Sequence, residues 1–168
     1  MVIYGHDTEA NAALFDWLRT VGLQPQEWDD LVQATGEPSP YVGAVLHQAF
    51  RDVQAVIAFF TPDERVCPRD RTGAWRLQAR PNVLIEAGMA FVTHPKRTVL
   101  VVLGPQEQLP SDLAGRHFVH LNHTRESLYR LANRLITAGC NVDRTGIDRW
   151  WFRAQRRFPD RDNVSLNE

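Results

Sequence analysis

The chain has 168 residues, 43% of them hydrophobic, and a formal net charge of −1. This length and composition predict one globular domain with a substantial core. The near-zero charge gives no general attraction to nucleic acid or to an anionic membrane, and no apolar run approaches the roughly 20 residues needed to span a bilayer.

Short apolar runs alternate along the chain with segments whose apolar residues recur at helical spacing, the patterns of buried strands and amphipathic helices. In chain order the pattern predicts a strand at 1–4, a helix that Asp7 or Thr8 caps and Gly22 ends, a weak edge strand at 23–28, a helix from Pro40, a strand at 53–60, a helix over about 81–91, strands at 97–104 and 117–121, and a helix that ends near Gly139. Polar loops are expected over 29–40 and 61–78.

Alternating strands and helices predict an α/β fold, in which a parallel sheet is covered by helices on both faces. Right-handed crossovers favour a flavodoxin-like, three-layer arrangement of five strands in the order 2-1-3-4-5. In such a sheet the ligand crevice opens at the carboxyl ends of the strands, where the strand order reverses. That point lies between the first and third strands, so the loops that begin at Gly5 and Thr61 should border the crevice.

The helix predicted over 81–91 carries a candidate catalytic residue. Its side chains are almost all apolar, and Asn82 and Glu86 interrupt them. Glu86 lies too deep for a capping box, and neither Asn82 nor Ala90, four residues away on either side, is a cation that could pair with it. A face that simply meets solvent is the alternative explanation, but the many apolar neighbours leave little room for one. We therefore expect Glu86 to face the crevice.

Four segments in order carry a resemblance to a known family: VIYGHD at 2–7, AVIAFFTPDE at 55–64, QARPNVLIEAGMAF at 78–91 and VLVVLGPQEQLPSDLAG at 99–115. Together they resemble the TIR-like domains of the predicted nucleotide-binding type. The resemblance covers about residues 1–143 and implies a TIR-like domain there, followed by a C-terminal helical extension or tail at 144–168. In that family the glutamate of the third motif, Glu86 here, is the catalytic residue of NAD+ cleavage.

The resemblance implies an NAD+ glycohydrolase that uses NAD+ as substrate without a cofactor or metal. Such domains serve as effectors in bacterial antiphage defence, often fused to a sensor of a cyclic nucleotide signal, and are activated by self-assembly. One carboxylate suits this chemistry, because nicotinamide leaves as a neutral molecule and only the positive ribose needs stabilising or trapping. Two other functions stay open: a nucleoside deoxyribosyltransferase-like enzyme with a glutamate nucleophile, and a non-catalytic module that binds a nucleotide or a protein.

Polar residues around the predicted crevice are candidates for substrate binding. The turn at the first strand end opens a helix, which suits a phosphate or ribose, although a plain turn with a helix cap explains it equally. Arg80 could face a diphosphate, although a solvated side chain is the simpler explanation. A plain turn is the alternative for Thr61 and Asp63, and a turn cap for Asp112. The candidates are Gly5, His6, Asp7, Thr61, Asp63, Arg80, Asn82 and Asp112.

The remaining features predict structure more than chemistry. Cys67 and Cys140 form no CxxC motif, and the amino terminus lacks the pattern of a signal peptide, so we expect reduced thiols in a cytoplasmic protein. No metal site is expected at the histidines of the segment HFVHLNH, 117–123. They are spaced by threes, and residues three apart on a strand face opposite sides. The aromatic residues of the tail should pack on this domain or on a partner subunit. Three aromatic residues in or beside the loops are candidate contact residues for self-association, namely Trp28, Tyr41 and Trp75. Packing of each one on its own domain is the alternative, and for any one of them taken singly it is the favoured explanation.

Overall fold

A computed structural model describes residues 1–67, 69, 75–104, 113, 115–122, 124–153 and 158–161. Its elements in chain order are β1 (Val2–Ile3), α1 (Thr8–Thr20), α2 (Trp28–Ala34), α3 (Val42–Asp52), β2 (Val56–Phe60), β3 (Glu64–Val66), β4 (Arg76–Gln78), α4 (Pro81–Thr93), β5 (Thr98–Leu103), β6 (Val119–Leu121), α5 (Arg125–Thr137) and α6 (Arg144–Arg153). Four of the strands form a parallel sheet in the order β1-β2-β5-β6, and β3 and β4 form an antiparallel pair.

The parallel sheet is the middle layer of three, as the α/β pattern of the sequence predicts. Side chains of β2 alternate between the two faces and are all buried. Ile57 and Phe59 pack into a core with α1, α5 and α6, whereas Ala58 and Phe60 pack into a second core with α3 and α4. Strand β5 divides its side chains in the same way. The loops that follow β1 and β2 therefore emerge side by side at one end of the sheet.

The predicted edge strand is not formed, and this changes the border of the crevice. Residues 23–28, all of which the structure describes, contain no strand, so the five-stranded order 2-1-3-4-5 is not confirmed. The chain there passes the outer side of β1 on its way from α1, on one face, to α3 on the other. Pro25 has no N–H to donate to a strand pair. As a result, β1 is an edge strand of the described sheet, and no strand pairs with its outer side.

Two loop predictions are also corrected. The predicted loop at 29–40 contains most of α2, whose start is stabilised by the Asp30 carboxylate accepting the Glu27 N–H at 3.2 Å. The predicted loop at 61–78 contains the β3–β4 hairpin. Helix α3 begins at Val42 rather than Pro40, because Tyr41 still has an extended backbone.

Helix α4 begins at Pro81, as predicted, and extends to Thr93. At its end, the Thr98 hydroxyl lies 2.8 Å from the His94 carbonyl and 3.1 Å from the Ala90 carbonyl, so it can donate its hydrogen to one of the carbonyls that the helix end leaves free. The prediction that apolar residues leave little room for a solvent face is wrong, because Ile85 is exposed. No helix within the described ranges is long and apolar enough to cross a membrane.

Helix α6 packs closely on α1. A Cβ on Gly146 would lie 2.3 Å from the Thr20 carbonyl oxygen, so only glycine permits this approach. The Trp150 indole donates to Asp16 at 2.9 Å, and the Trp150 ring contacts Phe158 with centroids 5.6 Å apart. Phe158 thereby packs on the main body of the domain.

Candidate active site

The loop between β1 and α1 is held against the end of β2 by one carboxylate. Asp63 Oδ1 accepts hydrogen bonds from the backbone N–H groups of His6 and Asp7, both at 3.1 Å. Its other oxygen accepts from the Thr61 hydroxyl at 2.9 Å. A Cβ on Gly5 would lie only 1.8 Å from Asp63 Oδ2. The loop can therefore approach the carboxylate this closely only with glycine at position 5.

The two neighbouring carboxyl groups of this region have opposite pKa shifts. Burial has the largest effect on Asp63 and raises its pKa, although hydrogen bonds from Thr61 and the loop oppose it. Burial acts in the same direction on Asp7, but hydrogen bonds from Arg161 and from the Ala10 backbone outweigh it and lower the pKa. Asp7 also caps α1, since its Oδ1 accepts the Ala10 N–H at 3.1 Å. Asp7 is therefore an ionised group fixed to the start of its helix.

A cleft of about 390 Å³ lies between the open edge of β1 and the first turns of α4. This volume is in the range of small-molecule sites. The apolar part of its wall includes Trp28, Leu31 and Val42. The lining also includes Tyr4 and five of the predicted candidates, namely Gly5, His6, Arg80, Asn82 and Glu86.

Two larger clefts, of about 630 and 490 Å³, lie at the amino ends of the strands. None of the predicted site residues that the structure describes lines either of them. Ligands of open α/β sheets bind at the carboxyl ends of the strands. The smaller cleft is therefore the candidate active site.

Glu86 is half-buried in this cleft and has no partner for its carboxylate among the described residues. Burial raises the pKa of Glu86, and the positive charge of Arg80 opposes the shift. No residue at helical spacing supplies a positive charge for Glu86. That charge comes instead from Arg80, the residue directly before α4. An unpaired carboxylate beside a cation is available to a positively charged or hydroxyl-bearing ligand.

Arg80, which lines the cleft, contacts the β1–α1 loop and β3 and directly precedes α4. Its side chain contacts His6 Nε2 from the β1–α1 loop and lies 3.6 Å from the Glu64 carboxylate of β3. Its backbone precedes α4, with the Pro81 ring at the first helical position. Arg80 therefore fixes His6 relative to the start of the helix that carries Glu86.

Comparison with known proteins identifies the architecture around this cleft. The family model of the CAP12/Pycsar effector protein TIR domain matches residues 1–123. The chain belongs to this TIR domain family. These are TIR-like effector domains of bacterial antiphage defence. The uncharacterized protein YuaY of Escherichia coli (strain K12) is 26% identical over 143 residues, which are 85% of this chain and 46% of that protein. The chain thus spans about half the length of this curated relative.

The predicted site residues of this TIR domain fall into two groups. Gly5, His6, Arg80, Asn82 and Glu86 line the cleft together. Thr61, Asp63 and Asp7 do not line it. Asp63 instead accepts hydrogen bonds from the Asp7 N–H of the β1–α1 loop and from the Thr61 hydroxyl. Asp112 lies outside the described residues. Among the described residues, no three His, Cys, Asp or Glu side chains gather as a possible metal site.

Sequence reasoning missed two residues that support the TIR domain site. Asn11 is buried in α1, where its side-chain amide donates to the Gly5 carbonyl at 2.9 Å. A signal for it was present, because Asn11 is a polar residue on the same helix face as Leu14, Phe15 and Leu18. Arg161 had no comparable signal, since its partner Asp7 is 154 residues away in the chain.

Proposed function

We propose that this TIR domain is an NAD+ glycohydrolase that cleaves the nicotinamide–ribose bond to give nicotinamide and ADP-ribose. The observation that carries the proposal is the half-buried Glu86 carboxylate in a cleft of ligand size, which makes no hydrogen bond or ion pair within the described part of the chain. Membership of an effector TIR domain family supports it.

The reaction matches what one carboxylate can do. When the C–N bond breaks, the bonding electrons go to the pyridinium nitrogen, so nicotinamide leaves neutral and needs no general acid. The positive charge then lies on the ribose, where ionised Glu86 can stabilise it or bond to C1′. Water supplies the hydroxyl group of ADP-ribose and releases one proton. Both the electrostatic and the covalent role are compatible with a carboxylate at this place.

The other residues of the cleft have supporting roles in this proposal. Arg80 lowers the pKa of Glu86 against the effect of burial, and so favours the ionised form that the reaction needs. Asn82 lies one turn before Glu86 on the same helix face and could bind ribose hydroxyls. His6 and Gly5 form the wall next to β1, where the loop N–H groups are already bonded to Asp63.

We also propose that activity depends on self-association, and that a sensor of a cyclic nucleotide signal, fused or associated, controls it. The exposed apolar side chains near the cleft support the first part. The partial coverage of the longer relative leaves room for further domains in the whole protein.

The test of the proposed reaction is to incubate concentrated protein with NAD+ and to separate the products by liquid chromatography. We expect nicotinamide and ADP-ribose in equal amounts. Transfer of 2-deoxyribose between purine bases, with NAD+ left intact, would instead support a deoxyribosyltransferase. Nucleotide binding without turnover in any assembled state would support a non-catalytic module.

Removal of metal ions should not change the rate, because the proposed mechanism uses only the carboxylate and water. We therefore predict equal nicotinamide release before and after treatment with EDTA. Activity that disappears with EDTA and returns specifically with zinc or manganese would show that the mechanism is wrong.

A further inference from the structure

Residues 158–161 lie against the domain, with Arg161 at the carboxyl end of the sheet beside Gly104 and Asp7. Phe158 and Pro159 are buried, and Phe158 packs on the ring of Trp150. Trp150 is in turn bonded to Asp16 of α1. The segment is therefore anchored at its start by packing on the α1–α6 pair rather than lying loosely on the surface.

At the end of this segment, Arg161 forms a two-point ion pair with Asp7. Its Nε lies 2.7 Å from Asp7 Oδ2 and its terminal nitrogen 3.1 Å from Asp7 Oδ1, with Glu9 at 3.3 Å. Only 28% of the Arg161 side chain and 12% of the Asp7 side chain are exposed. Bidentate Arg–carboxylate pairs fix orientation as well as charge, and burial reduces their screening by solvent.

The backbone of the segment also lies close to the end of the sheet. Gly104, directly after β5, has φ +95, and a Cβ there would lie 3.1 Å from the Arg161 carbonyl oxygen and 3.3 Å from the Pro62 ring. The backbone of the segment thus fits against the turns that follow β5 and β2. This close approach involves the backbone of Arg161, whereas the ion pair involves its side chain. Both place the segment at the same position on the domain.

We propose that residues 158–161 form a clamp on the β1–α1 loop, in which Arg161 is a positioning residue for the active site. Arg161 holds the side chain of Asp7, and the N–H groups of Asp7 and His6 are held by Asp63. His6 lies between these fixed points and lines the cleft. Arg161 lies beyond the residues 1–123 that match the family, so the clamp is a feature of this chain's C-terminal extension.

The clamp can be tested without reference to catalysis by NMR-detected amide hydrogen exchange of the full chain. The variants are Arg161→Ala, Arg161→Lys and the control Arg149→Ala, which removes an ion pair of α6 with Asp143. We expect Arg161→Ala to accelerate exchange of the His6 and Asp7 amides roughly tenfold while the amides of β5 keep their rates. Arg161→Lys retains the charge but not the fork and should recover part of the protection.

The proposal is overturned if the His6 and Asp7 amides of Arg161→Ala exchange at the wild-type rate. It is also overturned if Arg149→Ala accelerates them equally, because the effect would then be general destabilisation. Neither result depends on enzyme activity, so failure of the clamp and failure of the proposed NAD+ cleavage are distinguishable.

A kinetic measurement that rests on the proposed function tests the positioning role. Glu86 is on α4 and makes no contact with the clamp among the described residues, so kcat for NAD+ should change little. KM should rise roughly tenfold in Arg161→Ala and recover partly in Arg161→Lys, because the misplaced loop weakens substrate binding. A fall in kcat alone, with KM unchanged, would contradict a positioning role at the binding loop.

Discussion

In the proposed reaction, the ionisation of Glu86 decides whether the cleft can stabilise a positive ribose. Burial raises the pKa of Glu86 and Arg80 lowers it, so the two effects oppose each other. Only the carboxylate form can stabilise or trap the cation, so the activity should be present above the pKa of Glu86 and lost as the pH falls through it. Because that pKa lies above the ordinary value of 4.5, the acid limb should lie above the range of an exposed glutamate.

Replacement of Arg80 should move this acid limb. We predict that Arg80→Gln shifts the acid limb of the kcat/KM profile to higher pH, because the charge that favours ionised Glu86 is removed. Arg80→Lys keeps a positive charge and is the matched control, although it loses the contacts to His6 and Glu64. An acid limb at the same pH in Arg80→Gln and wild type would show that Glu86 is not the titrating group.

Two glycines, one in the β1–α1 loop and one in α4, differ in the space that is available for a side chain. Gly5 has no room for a side chain because of Asp63, whereas a Cβ on Gly88 of α4 would meet nothing within 4 Å. We predict that Gly5→Ala lowers the free energy of unfolding by about 1–3 kcal/mol and reduces kcat/KM. Gly88→Ala should raise the free energy of unfolding by about 0.5–1 kcal/mol, since alanine is the better helix former.

Denaturant unfolding and initial rates of both glycine variants provide the measurement. Equal stability of Gly5→Ala and wild type would mean that the loop does not approach Asp63 as closely as the structure shows. A destabilised Gly88→Ala would mean that this part of α4 is covered by something other than solvent.

Elements with strong local signals were predictable from the sequence. The buried runs of β2 and β5, the Asp7 cap of α1 and the start of α4 at Pro81 follow from periodicity and capping chemistry. The cleft residues followed partly from the parallel topology and partly from the family resemblance, since Asn82 and Glu86 share one face of a helix that starts at the crevice.

The missed elements depend on contacts between distant residues. Residues 23–28 have a composition that suits an edge strand, but they carry the chain around β1 instead. The exposed face of α4 could not be read from periodicity, because the helix is apolar nearly all round. The Arg161–Asp7 pair joins the two ends of the described chain and leaves no local pattern at either residue.

At the scale of the whole molecule, apolar side chains near the cleft are open to a partner. Tyr41 is 82% exposed and Trp75 52%, and Ile85 of α4 is exposed as well. Trp28, also predicted as a contact residue, instead packs mainly within its own domain. Exposed aromatic residues are enriched in interfaces. A neighbouring molecule over the cleft would exclude water and fix its loops, which favours formation of a charged intermediate.

We therefore predict that specific activity rises with protein concentration in parallel with oligomer mass. Trp75→Asp should weaken both, because it replaces an exposed aromatic side chain with a charge. Phe152→Asp is the control, since Phe152 is 79% exposed on α6, which packs on the opposite face of the sheet. The test measures specific activity and, by light scattering, oligomer mass in the same samples. A constant specific activity while the protein stays monomeric would contradict the prediction, as would equal effects of the two variants.

The most direct test of the account is the rate of nicotinamide release by Glu86→Gln, at the protein concentration at which the wild type is active. Glutamine has nearly the same size, so the fold and the assembly should be retained, but the negative charge is lost. We predict a fall in kcat of about 10²–10³-fold or more, with unchanged thermal unfolding and light scattering. Release of nicotinamide by Glu86→Gln at a rate close to that of the wild type would contradict the assignment of Glu86 and of the cleft as the catalytic site.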